Sequence, residues 1–218
     1  MSSVFNTWIM LPLLVLPIFA ILNLSVLDPL LKLSGVLGSL FFFLSLYLIQ
    51  RDYSHFDIHK NSISDFCKKR GCARRFHLSI YIFSLAQLLF LFQLLSFYQI
   101  IADYRISLSL LVPVLMFLTI PYFSAKRFPR VHLLMAIVGF SLMFMGGIAF
   151  AQRLFEINYP VALVSMSIAM VVLVVTALNF LSRRTLSAWV EYIIFGGVFV
   201  WSLVNTFPLI ISKVVASP

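Results

Sequence analysis

Long apolar segments alternate with short polar connections along nearly all of the 218 residues. Each apolar segment is close to the roughly 20 residues that an α-helix needs to cross about 30 Å of hydrocarbon. A membrane-spanning β-barrel would instead show segments of about ten residues with alternating polarity. The pattern therefore predicts an all-α polytopic transmembrane helical bundle with seven spans, at residues 8–27, 30–50, 77–102, 106–124, 131–151, 159–181 and 188–211.

The first apolar segment is typical of a membrane span rather than of a cleaved signal peptide. No basic residue precedes it, it is longer than the apolar core of roughly 7–15 residues found in signal peptides, and no A-x-A site follows it. Pro12 and Pro17 within this segment predict a bend. We therefore expect an additional N-terminal helix at residues 8–27.

Composition agrees with a membrane protein, because 62% of the residues are hydrophobic and only 11% are charged. Soluble domains are about 45–50% apolar and about 25% charged. No linker or low-complexity segment divides the chain, so we expect one transmembrane domain over residues 1–218. The one connection long enough to fold on its own is the predicted loop at residues 51–76.

Basic residues concentrate on one side of the predicted bundle. Three connections on that side hold twelve of the sixteen lysines and arginines: Arg51, Lys60, Lys68, Lys69, Arg70, Arg74, Arg75, Lys126, Arg127, Arg130, Arg183 and Arg184. The positive-inside rule places this side and the N-terminus in the cytoplasm, and the C-terminus outside the cell membrane. Membrane lipids are the expected partners, since anionic headgroups attract such residues; nucleic acid is not predicted.

Small and polar residues within the spans predict contacts between helices. Gly35 and Gly38 share a face of the second span, and Gln87 lies more than a turn from either end of the third. Hydrogen bonding between helices is the simpler interpretation of Gln87. A hydrophilic path for a small solute is an alternative, and a homo-oligomer or another membrane protein partner also stays open.

No cofactor is predicted. The seventh span lacks a lysine that could bind retinal, and no Glu-x-x-His set for a bundle metal site is present. The predicted loop contains His55 and His59 followed by Cys67 and Cys72, but zinc sites usually have C-x2-4-C pairs and a longer intervening segment. We interpret the cysteines as free cytoplasmic thiols and keep a metal site as the alternative.

Three titratable residues are expected at similar depth on the cytoplasmic side: Asp65 in the loop, His132 at the start of the fifth span and Glu191 in the seventh. A carboxylate inside the membrane boundary needs a partner, so we expect Glu191 to pair with His132 or an arginine. One interpretation is a structural clamp, and the other is a polar pocket that binds a lipid. A hydrolase triad of Ser62 or Ser64 with His132 and Asp65 is a further alternative.

The segments NSISDF, FPRVHLLMAIVGF at 128–140 and WVEYIIFGGVFVW at 189–201 resemble, in this order, motifs of a bacterial membrane family. That six-helix family is known only as domain of unknown function nine-nine-eight, and it is distantly similar to eukaryotic proteins of GPI-lipid remodelling and to autophagy modulators. The resemblance covers residues 30–211. It implies a six-helix unit preceded by one added helix, and a bacterial source.

Carried over position by position, the resemblance implies a ligand site at Asn61, Ser64, Asp65, His132 and Glu191. Two features depart from the family pattern. Phe66 and Cys67 replace the usual Leu-Gly, and the basic loop places this side in the cytoplasm, whereas the eukaryotic relatives place it outside. We therefore predict a protein that binds or handles lipids at the cytoplasmic headgroup level, with a membrane-embedded lipid hydrolase and a small-solute transporter as alternatives. Whether the protein is an enzyme stays open.

Overall fold

The computed structural model describes residues 28–215, apart from 54, 69, 124–126 and 184–186. Within that part of the chain all regular structure is helical: α1 (Asp28–Arg51), α2 (Arg70–Phe97), α3 (Tyr104–Thr119), α4 (Pro129–Leu154), α5 (Tyr159–Arg183) and α6 (Ala188–Val215). A short 3-10 helix, Ile63–Lys68, lies in the connection between α1 and α2. The predicted first span, residues 8–27, lies outside the described residues.

The six described helices form a closed ring in chain order. Each helix packs against the next, and α6 packs back against α1. Neighbouring helices run antiparallel because their connections are short. Between α6 and α1, the rings of Phe195 and Phe42 lie 4.7 Å apart, and the Thr206 hydroxyl donates to the Lys32 carbonyl at 3.2 Å. We call the end of the ring with the α1–α2, α3–α4 and α5–α6 connections the basic end, and the other the opposite end.

The outer surface of the ring suits a bilayer. Leu44, Leu181 and Phe207 are examples of large apolar side chains that are 58%, 80% and 67% exposed. A soluble monomer rarely exposes so much contiguous apolar surface. Five of the described helices (α1, α2, α4, α5 and α6) are long and apolar enough to cross a membrane, whereas α3 is shorter. The protein is therefore a multi-pass helical membrane protein.

The helices differ from the predicted spans mainly at their ends. α2 begins at Arg70 rather than at residue 77, because a helix can continue through the polar headgroup layer where hydropathy alone ends a span. It ends at Phe97 rather than at residue 102, since Gln99 takes a positive φ of 57° that a helix does not allow. Asp103 starts α3 by accepting hydrogen bonds from the N–H groups of Arg105 and Ile106. The loop predicted at 51–76 is correspondingly shorter.

Close helix contacts occur at several glycines. At Gly38 of α1, an added Cβ would lie 2.4 Å from the Cβ of Ala86 in α2, and at Gly146 of α4 it would lie 2.8 Å from the Ser109 hydroxyl of α3. Small residues allow this approach, as expected for helices that associate in lipid. The interiors of these seams are largely aromatic, with Phe42 and Phe90 fully buried.

Candidate functional site

The connection between α1 and α2 is attached to the start of α6 by backbone hydrogen bonds. The N–H groups of Ala188 and Trp189 donate to the carbonyls of Asn61 and Ile58, at 2.7 and 3.1 Å. The first N–H groups of a helix have no partner within the helix. The connection therefore caps α6, although the two lie more than a hundred residues apart in the chain.

Glu191, in the first turn of α6, binds the connection in return. Its carboxylate accepts a hydrogen bond from the backbone N–H of Ile63. The nearby Asp65 carboxylate accepts from the Ser62 N–H at 3.1 Å and from the Asn61 side-chain amide at 3.2 Å. We call these five residues the capping cluster. Its two carboxylates bind N–H groups at the start of the 3-10 helix, where the helix dipole favours negative charge.

Among the described residues, the partner of Glu191 is thus a backbone N–H group and not the expected His132 or arginine. Every residue except proline carries such a donor, so a sequence does not show which one a buried carboxyl group will bind. The structure places Asn61, Asp65 and Glu191 close together, and the Ser64 hydroxyl lies 2.8 Å from that of Ser62. Whether these residues contact a ligand stays a prediction.

Asp57 organises the turn that precedes the capping cluster. Its carboxylate accepts from the His59 N–H at 2.9 Å, and its own N–H donates to the Asn61 side-chain oxygen at 2.8 Å. The His59 N–H, with a smaller contribution from Lys60, holds the pKa of the Asp57 carboxyl below its ordinary value. The turn is therefore built for an ionised Asp57.

His132 belongs to a second group of residues at the basic end. Its Nδ1 lies 3.0 Å from the Phe123 carbonyl oxygen. Because a carbonyl can only accept, Nδ1 carries the hydrogen and Nε2 of the neutral ring is an acceptor. His77 of α2 lies close to His132, and the rings of Tyr81 and Tyr122 stand edge-on with centroids 6.3 Å apart. We call His77, Tyr81, Tyr122, Phe123 and His132 the aromatic–histidine patch.

Arginines border the aromatic–histidine patch. Arg74 precedes His77 and Tyr81 by three and seven residues, so all three share a face of α2. Arg127 lies over the Phe128 ring at 5.2 Å, and Arg130 is the second residue of α4. Sequence reasoning missed this patch apart from His132. The enrichment of tyrosine at membrane interfaces was the signal that could have found it.

The predicted hydrolase triad is not assembled in the described part of the chain. His132 bonds the Phe123 carbonyl, and it forms no hydrogen bond with Ser62, Ser64 or Asp65. Among the described residues, no three His, Cys, Asp or Glu side chains are placed to hold a metal ion. Of the alternative metal ligands, Cys72 is a buried free thiol in the first turn of α2.

Gln87 connects three helices inside the ring. Its side-chain N–H groups donate to the Gly35 carbonyl and the Ser39 hydroxyl of α1, both at 2.9 Å, and its oxygen accepts from the Ser202 hydroxyl of α6 at 3.2 Å. A cavity of about 80 Å³ lies next to it. Apart from Gln87, its described walls are almost entirely apolar, with Phe117 and Phe195 among them. The described walls therefore offer few polar groups to a solute.

Comparison of the chain with known protein families, with curated proteins and with solved structures finds no match. The resemblance to domain of unknown function nine-nine-eight therefore stays a prediction that rests on short sequence motifs.

Proposed function

We propose that this protein binds anionic membrane lipids at its basic end. The observation that carries the proposal is the exposure of Arg74 and Arg130. Arg74 shares the α2 face of His77 and Tyr81, Arg130 precedes His132 by two residues, and neither arginine has an ion-pair or hydrogen-bond partner among the described residues. A guanidinium group binds phosphate through two parallel hydrogen bonds. An unpaired basic residue near an anionic surface contributes about 1 kcal/mol to lipid binding.

The aromatic–histidine patch supplies the remaining contacts of a lipid headgroup site. Tyr122 and Phe123 are 54% and 38% exposed, and aromatic rings of this kind favour the boundary between headgroups and hydrocarbon. Nε2 of His132 is available to a headgroup hydroxyl. In this proposal the capping cluster holds the α1–α2 connection in place and thereby shapes the same surface.

We further propose seven spans, with α3 and residues 8–27 added to the five long helices. The excess of arginine and lysine at the basic end supports a cytoplasmic location for that end and an external C-terminus in a bacterial cell membrane. The bound lipids are then those of the cytoplasmic leaflet.

Copurifying lipid tests the proposal. Lipids are extracted from the detergent-purified protein and quantified per mole of chain by mass spectrometry. Arg74→Gln and Arg130→Gln should each lower the anionic phospholipid content about fivefold, which corresponds to about 1 kcal/mol. Arg105→Gln, an exposed arginine at the opposite end, is the matched control and should leave it unchanged. Anionic lipid at the control level in both patch variants would contradict the proposal.

A further inference from the structure

A second lipid-facing feature lies at the opposite end of the ring. A groove of about 1240 Å³ runs between the start of α5 and the last turns of α6, with the end of α2 at its mouth. Its walls include Val164, Leu203 and Phe207, which are 40%, 47% and 67% exposed. These walls continue the bilayer-facing surface, so the groove suits an acyl chain.

The mouth of the groove is polar. Gln99, Arg153 and Asn158 line it, together with Tyr98. Tyr98 is only 8% exposed, and its hydroxyl lies near the Asn158 side chain without a hydrogen bond of normal geometry. A buried hydroxyl without a partner costs about 1–3 kcal/mol, which a ligand acceptor such as an ester carbonyl would recover.

Gln99 provides an independent observation. It takes a φ of 57° two residues after the end of α2, a position where glycine is the usual choice. Non-glycine residues in this region cluster at ligand sites. Its carboxamide lies at the mouth of the groove, where it can bind a phosphate oxygen.

The charged side chains at the mouth of the groove indicate which lipid headgroup it would bind. Nη1 of Arg153 lies 2.7 Å from a carboxylate oxygen of Glu156, and both side chains are more than half exposed. Exposed ion pairs of this kind are weak, so the charged groups of a ligand can take the place of either partner. One cation beside one anion complements a zwitterion, in contrast to the unpaired arginines of the basic end.

From these contacts we infer that the groove binds a zwitterionic phospholipid of the surrounding leaflet. Its acyl chain would lie against Leu203 and Phe207, its phosphate at Arg153 and Gln99, and its ammonium at Glu156. This inference does not depend on the lipid site proposed at the basic end, because the two sites use different residues, opposite ends of the ring and different headgroup charge.

Photo-crosslinking in nanodiscs tests the inference, with a phosphatidylethanolamine that carries a diazirine in its acyl chain as the probe. Crosslinks should map to residues 157–164 and 203–211. Arg153→Gln should lower their yield about fivefold. Gln99→Gly should lower it about threefold while keeping or raising the melting temperature, since glycine takes a positive φ without strain. Arg105→Gln at the same end is the matched control.

The results that would overturn the groove site differ from those that would contradict lipid binding at the basic end. Equal yields in Gln99→Gly, Arg153→Gln and the control, or crosslinks to other segments only, would overturn the groove site. Crosslinks of these positions to residues 1–27 of the same chain would overturn it too, because that segment would then occupy the groove. None of these results would change the anionic lipid content that tests the basic end.

Discussion

The Glu191 carboxylate accepts a hydrogen bond from the Ile63 N–H, which lies 128 residues earlier in the chain. In the opposite direction, the Ala188 N–H donates to the Asn61 carbonyl at 2.7 Å. The start of α6 and the α1–α2 connection thus cap each other. This exchange fixes the α1–α2 connection at the basic end, the same end at which we place anionic lipid.

Glu191→Ala should release the α1–α2 connection. The variant leaves the Ile63 N–H without its acceptor, at a cost of about 1–3 kcal/mol, and so amide exchange in residues 61–66 should accelerate roughly 5- to 100-fold. Glu191→Gln keeps an acceptor oxygen and should show a smaller effect. Hydrogen exchange with mass spectrometry measures both, and Glu156→Ala, an exposed carboxylate at the opposite end, is the control. Unchanged exchange in Glu191→Ala would show that the carboxylate does not hold the connection.

Gly38→Ala should destabilise the ring at the contact between α1 and α2. The new Cβ would lie 2.4 Å from the Ala86 Cβ, so the helices must separate, at a cost of about 1–3 kcal/mol. Gly196→Ala in α6 is the matched control, because no atom lies within 4 Å of its added Cβ. Thermal unfolding in detergent should show a lower melting temperature for Gly38→Ala alone. Equal melting temperatures would contradict the close contact.

Gln87→Leu should weaken the ring by about 1–2 kcal/mol, because it removes hydrogen bonds from α2 to both α1 and α6. Gln93→Leu, on the same helix and only partly buried, should have little effect. Unfolding by detergent titration compares the two variants. A stable Gln87→Leu variant that had lost uptake of a solute would instead favour the transporter alternative.

Helix type and approximate position followed from the sequence because hydrocarbon imposes one requirement on every span: about 20 apolar residues with all backbone groups bonded internally. Pairing of sequence neighbours followed from short connections. The contact between α6 and α1 could not be predicted from the sequence, since it depends on how side chains such as Phe42 and Phe195 fit together. The ends of α2 at Arg70 and Phe97 were also not predicted, because hydropathy does not show helix capping or helical turns at headgroup level.

The candidate site was predicted in part for a similar reason. Asp65 and Glu191 were selected as carboxylates near a membrane boundary and Asn61 from the family resemblance, and the three lie close together. Their partners are backbone N–H groups, which every residue type carries, so composition gives no indication of them. His132 instead joins the aromatic–histidine patch, because α4 packs against α3 and α5 in the ring.

Cysteine labelling tests the two ends of the ring. Lys60→Cys and Glu156→Cys place thiols at side chains that are 82% and 74% exposed, one at the basic end and one at the opposite end. In a background with Cys67→Ala and Cys72→Ala, an impermeant maleimide should label intact cells only at position 156. Labelling at both positions, or at position 60 alone, would contradict the proposed orientation.

The most direct measurement of the central claim is a crosslinking experiment with a photoactivatable phosphatidylglycerol, an anionic lipid, in membranes that contain this protein. Crosslinked peptides are mapped by mass spectrometry in the wild-type chain and in the Arg74→Gln and Arg130→Gln double variant. We expect crosslinks concentrated in residues 74–81 and 122–132 that fall at least fivefold in the double variant. Crosslinks in those segments that persist at wild-type yield, or that spread evenly around both ends of the ring, would contradict the central claim.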